Sequence, residues 1–107
     1  MSSGFSADRP AWPWIEVLTD RFPGAPLDRQ LAMLHNARAH PAAMTPLAEL
    51  ALAHDHPLVR EQALIVLGAS CDPRTEAWAL QGLTDTDPHV VLRAVGLLDL
   101  VVESSDP

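Results

Sequence analysis

Lysine is missing from this 107-residue chain. Its seven basic residues are all arginines, set against 14 acidic ones, and the formal net charge is −7. An acidic balance raises solubility and disfavours nucleic acid and anionic lipid. It mildly favours a protein partner with a basic surface. Arg9, Arg21, Arg29, Arg38, Arg60, Arg74 and Arg93 are spread along the chain with acids nearby, so no basic face gathers for a nucleic acid. Cysteine occurs once, at Cys71, which excludes an internal disulfide and is compatible with a reducing compartment. No apolar run approaches the roughly 18 residues of a membrane span. The opening MSSGFSADRP has no basic patch followed by an apolar stretch, so no secretory signal is expected. A cytoplasmic location is the expectation. One domain is expected at this length, with roughly two-thirds of the unfolded surface buried.

What the chain does have is proline and helical periodicity. The stretch from Asp55 to Gly68, DHPLVREQALIVLG, has the signals of one complete helix over 57–67. Pro57 suits a first helical position, Asp55 or His56 stands where a cap would be, and Gly68 is placed to end it. Shifted either way by the interval from Pro26 to Pro57, the stretch finds fainter copies. Pro26, Pro57 and Pro88 align at this one interval, as do Ala32, Ala63 and Ala94. Six helices follow from such signals. They are predicted over about 11–21, 26–39, from Thr45 as a cap with Pro46 first, 57–67, from Asp72 as a cap with Pro73 first, and 88–102 capped by Asp87. Residues 1–9 are expected to be a flexible lead and 104–107 a disordered tail. The expected core includes Trp14, Leu18 and Phe22, then Leu27, Leu31 and Leu34, then Leu47, Leu50 and Ala51. Val59, Ala63, Val66 and Leu67 follow, with Trp78, Leu80 and Leu83 in the fifth helix. Three helical hairpins, about 10–40, 41–70 and 72–103, would bury a continuous core by stacking.

DHPLVREQALIVLG resembles the second helix of HEAT-like repeats, especially the short phycobilisome-lyase type. Asp55, Val59, Arg60, Ala63, Leu67 and Gly68 fill that pattern; at 87–98, Val91 and Asp99 stand where its arginine and glycine would be. The resemblance implies an all-α, short right-handed superhelix of three hairpins, with a concave protein-binding surface lined by the second helices. In that family Asp and Arg often form a ladder of turn hydrogen bonds, which only Asp55 and Arg60 can offer here. It implies no reaction.

No residue set forms a catalytic signature, and no catalytic, cofactor or metal site is expected. His54 and His56 are two apart in a turn, a poor spacing for a metal; His35 and His40 lie elsewhere. The His-Glu dipeptide of iron-binding HEAT-like hydroxylases does not occur. Cys71 has no identifiable base and is expected to be a half-buried thiol. Trp14 and Trp78 are expected in the core and Trp12 at the surface.

Two apolar features remain. In the last helix Val90, Val91, Ala94, Val95, Leu97, Leu98, Val101 and Val102 fill an arc of about 160°, at about 100° per residue. Leu92 and Leu100 interrupt the polar remainder. This is either a contact for a second copy or a partner, through Leu92, Arg93, Gly96 and Leu100, or a wide inward face with two exposed leucines. Leu27, Leu34, Leu58 and Ile65, with Arg60 and Glu61, are either the floor of a protein-binding groove or a contact between helices. The expectation is a non-catalytic interaction or adaptor module that binds a protein partner or itself. The alternative is a small HEAT-like enzyme or subunit of the bilin lyase or metal hydroxylase type.

Overall fold

The computed structural model describes residues 15–105, and the side chains of 15–102. Trp12, Trp14 and the expected lead lie outside these residues. The described residues form six α-helices and no strand: α1 (Ile15–Arg21), α2 (Leu27–Ala37), α3 (Thr45–Ala51), α4 (Pro57–Ala69), α5 (Thr75–Gly82) and α6 (Pro88–Ser105), with a 3₁₀ turn at Phe22–Gly24. Helix α4 is central. It packs on α2 at one side and on α6 at the other, while α3 lies against α4 and α5 against α6.

The core forms where apolar residues at helical spacing meet across these contacts. Val59, Ala63, Leu64, Val66 and Leu67 of α4 are fully buried, joined by Phe22, Leu34, Leu47, Trp78, Val90 and Leu97. Burying each large side chain contributes about 1.5–3 kcal/mol. Leu64 was not among the expected core residues. It extends the buried arc beyond Leu67, where α5 reaches it at Gly82. Leu27, Leu50, Leu80 and Leu83 are exposed instead. α3 and α5 are short, and their buried faces are filled by Leu47, Ala48 and Ala51, and by Trp78 and Ala79.

Several helix ends differ from the proline-based expectation. Thr45 lies inside α3, and its hydroxyl donates to the Pro41 carbonyl (3.2 Å) rather than capping. The Asp72 carboxylate accepts from the Arg74 amide (2.8 Å) in a turn that precedes α5, which starts at Thr75. Gly68 is helical, and α4 runs on to Ala69. The left-handed residue at this end is Cys71, at φ 59°. A Cβ at position 68 would overlap Leu97 of α6, so this glycine serves a close helix crossing. α6 continues through Ser104 and Ser105, since no breaker intervenes before Pro107.

The turns that enter α4 and α6 are built alike, and they stand one proline interval apart, as Pro57 does from Pro88. The His56 amide donates to His54 Nδ1 (3.0 Å), and the Asp87 amide donates to Asp85 Oδ1 (2.9 Å). The Leu58 amide donates to His56 Nδ1 (3.2 Å), and the His89 amide donates to Asp87 Oδ1 (2.9 Å). His56 and Asp87 thus each cap a helix that begins with proline, satisfying an amide the helix cannot.

Candidate functional site

The α4 and α6 turns meet at Arg60. Its Nε and Nη2 donate to the two carboxylate oxygens of Asp85 (2.7 and 2.8 Å), and its Nη1 donates to the carbonyls of His54 (2.8 Å) and Asp55 (2.9 Å). Both side chains are mostly buried. The pairing holds the Asp85 carboxyl below its ordinary range, first through the hydrogen bond from Arg60, and raises Arg60 in turn. The expected Asp55 carboxylate is therefore not the partner; Asp55 contributes its backbone carbonyl. The sequence signal for Asp85 was available, because it follows His54 by the same interval that separates Pro57 from Pro88.

A cleft of about 440 Å³ opens beside this pair, walled by Leu52, Leu64, Trp78 and Val90. Four of the five guanidinium N–H donors are already used by protein acceptors, so the arginine is a fastener between turns rather than an anion receptor. Among the described residues there is no group of three or more His, Cys, Asp or Glu placed to hold a metal ion. Cys71 is exposed rather than half-buried, because it sits in the turn beyond α4.

The groove residues divide. Leu34 is fully buried in the core, against α4, and cannot form an accessible floor. Ile65 is half-buried, and Leu27 and Leu58 are exposed. Arg60 is engaged as described, and Glu61 accepts a 3.4 Å contact from Arg93 across the α4–α6 junction. Leu58, Glu61, Asp87 and His89 line a small recess of about 290 Å³ there.

The residues on α6 stay together. Leu92 is 68% exposed and Leu100 56%, with Arg93 and Gly96 exposed between them. Val95 (45%) and Val102 (64%), expected inward, join this outer surface. The apolar arc of α6 is wider than α4 and α5 together cover, so one margin, with Val95 and Val102, faces out, while Leu97 and Val90 at the other margin are buried. The equivalent position to Val95 in α4 is Leu64, which is fully buried and is met by α5 at Gly82. Nothing among the described residues lies over α6 in the same way.

Comparison of this chain with protein-family models, with curated proteins and with solved structures gives no match in any of the three. No helix among the described residues is long and apolar enough to cross a membrane.

Proposed function

We propose that this chain is a short stack of three HEAT-like helical hairpins that serves as a non-catalytic protein-interaction module. Its contact surface is the outer face of α6, extended by Leu58 and Glu61 of α4. The observation that carries this reading is the apolar outer surface of Leu92, Val95, Leu100 and Val102 on one continuous helix. Neighbouring exposed apolar side chains of this kind mark interaction sites more often than isolated ones do. The repeat reading is supported by the matching bonds of the two turns, which recur at the proline interval. Equal burial of Ala48 and Ala79, Val59 and Val90, and Ala63 and Ala94 supports it too. Two departures are Ala32, exposed where Ala63 and Ala94 are buried, and Val95, exposed where Leu64 is buried; the second falls where a further helix would sit.

The test is a photo-crosslinking side chain placed at Leu92 in cells, with exposed Ala32 on α2 as the control position. Discrete adducts are expected from position 92 and not from position 32. Position 92 giving no adduct would remove α6 as a contact surface.

A further inference from the structure

We propose that the turn into α4 is a pH-sensitive joint: protonation of His54 and His56 unfastens it and withdraws the support that positions Arg60 against Asp85.

Both rings close this turn as acceptors. His54 Nδ1 accepts from the His56 amide, and His56 Nδ1 accepts from the Leu58 amide. An imidazole accepts only while it is neutral; a protonated ring carries N–H at both nitrogens. A proton on Nδ1 would set two donors against each other and leave a backbone amide unsatisfied. Imidazole is the side chain that ordinarily changes charge between about pH 5 and pH 8. The folded turn therefore takes up protons less readily than the unfolded chain. Its contribution is full at higher pH and is lost as pH falls.

The surroundings also resist the charge. His56 caps α4, where the positive end of the helix dipole disfavours a cation. Arg60 stands one turn further on, and its amide donates to the His56 carbonyl (3.3 Å), so a fixed positive charge is already close. Around the cleft that His54 lines, the charged groups are Asp55, Arg60 and Asp85. Asp85 is taken by Arg60, and Asp55 is exposed. The 3₁₀ turn presents the Phe22 ring, edge-on to His54 with centroids 6.2 Å apart. Among the described residues the imidazole–carboxylate contact is His89 with Asp87, and neither His54 nor His56 has one.

The joint reaches beyond its own turn. The carbonyls of His54 and Asp55 hold Nη1 of Arg60, while its Nε and Nη2 hold Asp85. A loosened turn withdraws two of these four acceptors, and the tie from α4 to the turn before α6 loses its lateral support. The matching turn before α6 is closed by carboxylates, which ordinarily titrate well below the imidazole range, so the sensitivity is confined to one turn. None of this depends on what α6 contacts.

Urea unfolding of the whole chain at about pH 7.5 and about pH 5 tests the joint, since these bracket the imidazole range. The comparison is His54→Asn/His56→Asn, with circular dichroism as the check on folding. Asparagine places an acceptor oxygen one bond beyond Cγ, as Nδ1 is, favours the cap position and does not titrate. His35, His40 and His89 remain in both chains, so the difference between them isolates the turn. On acidification the folded-to-unfolded ratio of the wild type is expected to fall at least about tenfold more than that of the double variant. Nitrogen-15 spectra of the wild type near neutral pH are expected to place the ring proton of both histidines on Nε2. At the acid pH the Arg60 Nε–H, shielded by Asp85, should exchange with water faster in the wild type than in the double variant. A double variant as pH-sensitive as the wild type, or a ring proton on Nδ1 of either histidine, would overturn the proposal. Equal exchange of the Arg60 Nε–H in the two chains would overturn the reach of the joint to Asp85.

Discussion

The same substitution, glycine to alanine, should have opposite effects in α5 and α6. At Gly82 the added Cβ would lie 2.9 Å from Ala94 Cβ and 3.2 Å from Leu64 Cδ1, where carbon atoms settle at about 3.5–4.0 Å. The Ala94 Cβ is fixed to its backbone and cannot rotate aside, so α5 must move off α6 by roughly 0.5–1 Å. Overpacking of this kind costs about 1–3 kcal/mol. The helix-propensity gain from alanine is at most about 1 kcal/mol, and less at Gly82, the last residue of its helix. A net loss of about 1–2 kcal/mol follows, which lowers Tm by roughly 4–15 °C in a domain of this size. At Gly96 no atom stands within 4 Å of the new Cβ, and α6 gains about 0.5–1 kcal/mol. Its Tm should rise by roughly 2–8 °C. The assay is thermal unfolding by circular dichroism at a concentration where the chain is monomeric, checked by urea titration. A Gly82→Ala variant as stable as the wild type, or a Gly96→Ala variant less stable by more than about 1 kcal/mol, would refute the packing reasoning.

Arg60→Met should lose about 1–3 kcal/mol, because it leaves Asp85 without its charged partner and frees two carbonyls; urea unfolding measures this. Since Asp85 titrates lower in the folded chain than in the unfolded one, its contribution is present above the ordinary carboxylate range. That contribution fades as pH falls through the lowered folded value, so the acid limb of the stability curve should be shallower in Arg60→Met. Leu67→Ala, at a fully buried site, should cost about 2–5 kcal/mol, and an unchanged melting curve would contradict its place in the core. Cys71→Gly should stabilise by about 1 kcal/mol, because glycine accepts the left-handed backbone at φ 59° without a Cβ clash; denaturant titration in reducing buffer decides it.

Helix number and the inward face of α4 were legible in the sequence because proline and periodicity mark local structure directly. Val59, Ala63, Val66 and Leu67 lie one turn or less apart and are all buried. Helix ends were less legible, since a capping residue and a residue in the preceding turn look alike. Asp87 caps α6, whereas Asp72 binds the amide of a turn outside α5. Leu34 and Leu58 belonged to one sequence stripe, yet one is buried and the other exposed. Their surroundings differ because the α2–α4 contact takes in Leu34, while Leu58, beside the fully buried Val59, is left exposed. The α6 site was partly legible. Leu92 and Leu100 stood out within a polar arc, but exposure of Val95 and Val102 depends on how far α4 and α5 reach, which no local pattern records.

The paired turns before α4 and α6 carry a consequence for surface potential. Each is closed by two acceptors that sit at the same reach from the backbone: imidazole nitrogens at His54 and His56, carboxylate oxygens at Asp85 and Asp87. An imidazole that accepts at Nδ1 is neutral, with its proton on Nε2, whereas each carboxylate brings a full negative charge. The backbone bonds therefore stay constant while their acceptors change from imidazoles, with Asp55 between them, to two carboxylates, one of which is held by Arg60. In a chain already at −7, the turn-closing amide bonds can thus be kept with either acceptor, while the bonds to Arg60 tie the carboxylate to position 85.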